Sequence, residues 1–210
     1  MRNLKSTVVA PAARCATVLA VALAAFSVPA TAGDAKTIAA TICSGCHGED
    51  GNSAIPMFPR IAGLDETYII KQLKEFKGGQ RRSDVMAPVV ANLAIEDLAP
   101  LAALFSGQKP KPHEGQDAKL AEAGKNVYLE GNENTGVPAC VGCHQPEAVG
   151  HGVYPRLAGQ HPDYLIQQLK NFSTGDRSND ASRLMRVVAK RMTEQEMKSV
   201  AEYVSSLSVK

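Results

Sequence analysis

The sequence predicts an all-α fold in which one small helical domain is built twice in tandem. Three observations carry that expectation. Segments recur at a fixed distance: Pro59-Arg60-Ile61-Ala62-Gly63 returns as Pro155-Arg156-Leu157-Ala158-Gly159. Tyr68, Gln72, Leu73, Lys74 and Phe76 likewise return 96 positions later as Tyr164, Gln168, Leu169, Lys170 and Phe172. Helix caps and helical spacing of apolar residues run through both copies, while no stretch alternates as a strand would. Each copy also carries one Cys-x-x-Cys-His, at Cys43–His47 and Cys140–His144. Two copies are too few for a solenoid, so this pattern reads as duplication of a domain.

Composition bounds the function. The 210 residues hold 23 basic and 21 acidic side chains, a formal charge of +2, with 44% hydrophobic and 5% aromatic residues and no Trp. That balance excludes a nucleic-acid-binding basic excess, a stacking platform, disorder, collagen and coiled coil.

Residues 1–32 read as a cleaved signal peptide. Arg2 and Lys5 open it, Ala16 to Val28 is an uncharged, mostly apolar run, Pro29 breaks it, and Ala30-Thr31-Ala32 has the small-x-small cleavage pattern. An uncleaved anchor is the weaker reading of the same stretch. Without residues 1–32 the chain keeps four of its five Cys, and 20 basic residues face 21 acidic ones. The expected boundaries are 33–108 for the first domain, 109–116 for a Lys/Pro-rich, semi-extended linker, and 117–210 for the second domain.

The elements follow in order. Helices are expected near Asp34–Cys43 and Asp117–Glu130, ahead of the Cys motifs. Asp65 can cap a helix to Lys77 that Gly78 and Gly79 end. Its repeat mate starts with Pro162 in the first turn and ends near Gly175. Ile95–Phe105 is less regular because Pro100 removes a backbone donor, so that helix is expected to start late, with Asp97 as cap. Thr193-Glu194-Gln195-Glu196 is a capping box that opens the last helix, with Met197, Val200, Val204 and Leu207 on its apolar face.

The Cys pattern points to chemistry. Cys-x-x-Cys-His is the attachment site of a c-type haem. Cys43, Cys46, Cys140 and Cys143 would form thioethers to the haem vinyl groups, and His47 and His144 would be the proximal iron ligands. Zinc is a poorer reading, because Cys46 and Cys140 lie 94 positions apart. A thioredoxin-like pair lacks a βαβ setting, and two four-residue disulfide loops would leave the His unexplained. The sixth ligand follows from the repeat. Aligning Leu93-x4-Leu98 with Met192-x4-Met197 gives an offset of 99 and sets Met185 on Met86, with a three-residue insertion around Ser178 to Ala181 between the two offsets. Met86 and Met185 are therefore the expected distal ligands, whereas Met192 and Met197 fall on Leu positions and read as core. Ligation by His and Met fills both axial sites and favours electron transfer over substrate binding.

The leader, the two Cys-x-x-Cys-His motifs, the twinned Pro-Arg-x-Ala-Gly and Tyr-x3-Gln-Leu-x2-Phe segments, and one Met per half together resemble the dihaem cytochrome c4 family. The resemblance spans essentially everything after residue 32. It implies two class-I cytochrome c domains with two covalent haem c groups. It further implies a periplasmic shuttle from a quinol-oxidising cytochrome bc complex to a haem–copper terminal oxidase. Such a chain would be a monomer or weak dimer that binds redox proteins, with peripheral membrane association through a partner and no nucleic acid. Pro100 and Asn132–Thr135 depart from the family pattern locally. Pro59 and Pro155 would start the segment whose carbonyl holds the proximal imidazole. Arg60 and Arg156, and more remotely Arg81 and Arg177, would neutralise haem propionates. Tyr68 and Tyr164 would pack with a hydroxyl near the haem, and His113, His151 and His161 would take surface or helix-start roles. Two other function classes compete: a dihaem enzyme, peroxidase-like or thiosulfate-oxidising, and a cytochrome subunit of a dehydrogenase.

Overall fold

The computed structural model describes residues 34–113 and 117–209. The expected signal peptide lies outside the described residues, as do positions 114–116 of the expected linker. In the first copy the Asp34 carboxylate accepts from the N–H groups of Lys36 and Thr37 and so starts α1 (Ala35–Ile38). A π-helical stretch, Ala39–Cys43, leads into α2 (Ser44–His47). Asp65 caps α3 (Glu66–Lys77), and the chain turns away through Gly79 at φ +75°. α4 (Met86–Ala91) and α5 (Leu98–Ser106) follow. α5 starts late, with Asp97 at its N-cap position, but the Asp97 carboxylate accepts instead from the Ala94 N–H at 3.0 Å. Pro100 is the third residue of α5, where an N–H has no partner inside the helix, so its missing donor costs nothing there.

The second copy contains α6 (Ala118–Glu130), α7 (Val141–His144), α8 (Pro162–Thr174), α9 (Leu184–Arg191) and α10 (Glu194–Ser206). Pro162 is the first residue of α8, and Gly175 ends it in the left-handed region. The Thr193/Glu196 capping box forms as its sequence predicts, and the Glu196 carboxylate also receives Asn132 and Thr135. Among the described residues the only sheet-like pairings are two isolated bridges, Asn132 with Val137 and His151 with Tyr154.

Each copy has its own core. In the first, α3 and α5 pack together and bury Tyr68, Ile69, Phe76, Leu98, Leu101 and Phe105. In the second, α6 packs along α10 around Tyr128, Met197, Val200 and Val204. The two helices approach closely at Gly124, where a Cβ would overlap the Ser199 backbone carbonyl. Met192 and Met197 are core residues, as their alignment with Leu predicts.

The polar residues shared by the repeats meet across the seam between the copies. Arg81 donates to Gln72 Oε1 of its own copy at 2.6 Å and to Tyr164 Oη and Gln168 Oε1 of the other, each at 3.1 Å. Arg177 mirrors it, donating to Gln168 Oε1 at 2.9 Å, Tyr68 Oη at 3.1 Å and Gln72 Oε1 at 3.2 Å. Each guanidinium also stacks 4.5 Å above the Phe of its own copy, Phe76 or Phe172. Burial opposes ionisation of the Tyr68 phenol, but the Arg177 and Arg81 charges outweigh it and hold the group below its ordinary value. Asn179, from the insertion, breaks the symmetry: its Nδ2 reaches Gln72 and Glu75, and its carbonyl takes Lys71 Nζ at 2.7 Å. The strap at 109–113 is held to the first copy, since Asn52 bonds the Lys109 carbonyl and the Lys111 N–H.

Candidate functional site

Both Cys-x-x-Cys-His motifs end in a one-turn helix, α2 or α7. Residues three and four apart share one helix face, which brings both cysteines and the following His to the same side. The turn closes on a residue with positive φ, Gly48 at 79° in the first copy and Gln145 at 70° in the second. Glycine takes that conformation freely, and a glutamine is strained there. All four motif cysteines are free of disulfides. Burial pushes the Cys43 thiol up and Cys140 to about 11, with the Cys143 charge adding to the second. Among the described residues no three or more His, Cys, Asp or Glu gather into a metal cluster.

The two imidazoles are held alike. His47 Nδ1 lies 2.9 Å from the Pro59 carbonyl, and His144 Nδ1 lies 3.0 Å from the Pro155 carbonyl. A carbonyl only accepts, so the proton is assigned to Nδ1 and the Nε2 lone pair is left available as a metal ligand. Burial lowers the pKa of both rings and keeps them neutral. The segment carrying each proline is pinned in the same way. Ile61 and Ala62 N–H share the Gly51 carbonyl at 2.8 and 3.0 Å, and Leu157 and Ala158 share that of Ala148 at the same distances.

Met86 begins α4, half-buried, and packs against the same core as Cys43. Its N–H is received by Ser83 Oγ at 3.1 Å. Met185 is half-buried in the first turn of α9, and Val188, three residues on, packs against the core that holds Cys140.

Comparison with known proteins agrees with this geometry. The Cytochrome c family model matches residues 32–95 and again 121–208. Cytochrome c4 of Azotobacter vinelandii is 39% identical over 190 residues, covering 85% of this chain and 89% of its own length. The crystal structure of reduced recombinant cytochrome c4 from Pseudomonas stutzeri superposes with a TM-score of 0.78 at 36% identity, covering 84% of this chain and all of that one. The chain belongs to the cytochrome c4 family. It is thus a c-type electron-transfer cytochrome with two tandem domains and covalently bound haem c. A thiosulfate dehydrogenase electron acceptor from Stutzerimonas stutzeri is also similar, at 37% identity over 82% of each chain.

In this cytochrome c4 chain Arg60 and Arg156 sit in the seam. Arg60 Nη1 donates to the carbonyls of Lys111, Pro112 and Gly159, and its Nε to that of Ser53. Arg156 donates to the carbonyls of Ala62, at 2.7 Å, and Ala158. Neither forms an ion pair among the described residues. Burial, then the Arg60 charge, pushes Arg156 down to about 10. Its Nε is buried and has no partner among the described residues. A buried donor of this kind is costly unless an acceptor reaches it, and a haem propionate has the right charge and chemistry.

Tyr68, Tyr164, Arg81 and Arg177 bond across the seam, Arg81 to Tyr164 and Arg177 to Tyr68, each at 3.1 Å. His161 does start a helix but is buried, with Nε2 2.9 Å from the Ser53 carbonyl, so it has no surface role. Gln160 was not singled out by its sequence, because the repeat gives no match for it. Its side-chain amide nonetheless pairs with both backbone groups of Arg60, each at 2.9 Å.

Proposed function

We propose that the protein is a periplasmic one-electron shuttle rather than an enzyme, with His47 and Met86 binding one haem iron and His144 and Met185 the other. The observation that carries this reading is the pair of buried imidazoles, each held through Nδ1 by a proline carbonyl and each presenting Nε2, in two copies that also share a methionine. Covalently held haem c supplies the one-electron chemistry. Cys43 and Cys46, and Cys140 and Cys143, anchor it by thioethers. The Pro59 and Pro155 carbonyls orient the imidazoles and raise their basicity as ligands. Two chain ligands per iron leave no coordination position for peroxide or thiosulfate. Arg60 and Arg156 offset propionate charge in the seam, and the Arg81–Gln72–Arg177–Gln168 network keeps the two sites in a fixed relation.

The donor in this reading is a quinol-oxidising cytochrome bc complex, and the acceptor is a haem–copper terminal oxidase. A second reading, an electron acceptor serving a thiosulfate dehydrogenase, draws on the relative named for that role. Both are tested by mixing the reduced or oxidised holoprotein with each purified complex in stopped flow. Rapid oxidation by the oxidase and reduction by the bc complex support the first. Reduction only by thiosulfate dehydrogenase with thiosulfate would replace it with the second, and turnover of peroxide or thiosulfate by the protein alone would make it an enzyme.

A further inference from the structure

The helix that carries Met86 is held at its far end by another helix. α4 spans six residues with Pro88 among them, and a helix that short is marginal without outside partners. Its last turn holds no basic residue, so the negative end of the helix lacks a cation of its own. Lys77, the half-buried last residue of α3, supplies one. Its Nζ donates to the carbonyls of Leu93 at 2.8 Å, Ala91 at 2.9 Å and Val90 at 3.3 Å. An ammonium has three donors, and three carbonyls at the end of α4 take them. The same α3 carries Tyr68, Gln72 and Glu75 to the seam, so one element joins the seam to the Met86 segment. The second copy is built differently. At the offset of 96, Ser173 stands where the first copy has Lys77, and the last turn of α9 has its own Lys190 and Arg191.

We infer that Lys77 is a positioning residue for the first haem: by holding the end of α4 it keeps Met86 in its ligand position, and it serves that copy alone. The inference rests on the reading of Met86 as an iron ligand. Met86 opens α4 with its N–H received by Ser83 Oγ, so Ser83 ties one end of the helix and Lys77 the other. Without the Lys77 ammonium, three carbonyls and the negative end of the helix lose their partner, and the segment gives more easily when the thioether leaves the iron.

The test follows cyanide binding to the oxidised holoprotein in stopped flow. Cyanide takes the iron position that a methionine Sγ vacates, so its saturating rate reports how often each methionine leaves. Met86→Ala and Met185→Ala each remove one methionine-limited phase and so assign the two. Lys77→Met should speed the Met86 phase about tenfold and leave the Met185 phase unchanged. Lys77→Arg, which keeps a cation and its donors, should stay near the wild-type rate. In Lys77→Met, amide hydrogen exchange should also rise over residues 86–93 but not over 185–192. Unchanged cyanide rates, equal acceleration of both phases, or an Arg variant as fast as the Met variant would overturn the inference. The ligation reading fails by a separate result, a Met86→Ala protein that keeps its whole Met–iron band.

Discussion

Replacing Arg177 by Met keeps the stacking volume over Phe172 but deletes four hydrogen bonds, to Gln168, Tyr68, Gln72 and Asn179. Bonds from a charged donor are each worth about 1.5–3 kcal/mol before the desolvation of a buried guanidinium is set against them. The loss is also softened at the acceptors. Gln72 Oε1 keeps Arg81 at 2.6 Å and Asn179 at 3.0 Å, and Gln168 Oε1 keeps Arg81 at 3.1 Å. The Tyr68 hydroxyl loses its Arg177 donor. The net cost expected is about 2–3 kcal/mol, or roughly 5–10 °C in Tm for a chain of this size. Far-UV circular dichroism melts of the holoprotein measure it, with the haem spectrum as a check that the sites are intact. A double-mutant cycle with Tyr68→Phe should return a coupling of about 1 kcal/mol across the seam. A change below about 0.5 kcal/mol, with additive single substitutions, would refute the view that the twinned arginines join the copies.

Four further outcomes follow. Met86→Ala and Met185→Ala should each abolish half of the Met–iron absorption band of the oxidised protein and lower the potential of one haem; loss of the whole band from one substitution would contradict one methionine per iron. Gly124→Ala should cost about 3 kcal/mol or more, read by chemical denaturation, because α6 and α10 must separate to admit the Cβ. Glu196 is held below its ordinary value of 4.5: burial raises it, but bonds from the Thr193 N–H and hydroxyl, Asn132 and Thr135 outweigh that. A depressed carboxylate contributes stability above its unfolded pKa and loses it as pH falls through the folded one, so stability should drop below about pH 4.5, and Glu196→Gln should flatten that drop. Thr193→Ala should cost about 1 kcal/mol in the same denaturation assay, through loss of the cap.

The parts of this molecule that depend on neighbours in sequence were readable from it. The Asp65 and Thr193 caps, Pro162 at the start of α8 and Gly175 at its end each act within one helical turn, so residue identity alone locates them. The proline carbonyls were readable for another reason: the repeat placed the same Pro-Arg-x-Ala-Gly after each Cys motif. What the sequence did not convey was which polar groups meet across the seam. Tyr68 and Arg177 are 109 positions apart, and equal spacing in both copies says that a pair matters without saying that its partner lies in the other copy. Asn179 and Gln160 were hidden further, since one lies in an insertion and the other has no repeat mate.

The most direct test of the central claim is a spectroscopic redox titration of the holoprotein, with haem counted in the same sample. Two haems per chain are expected, both low-spin, both showing the Met–iron band when oxidised, and both at the raised potentials of His/Met ligation. One high-spin or low-potential haem would contradict it.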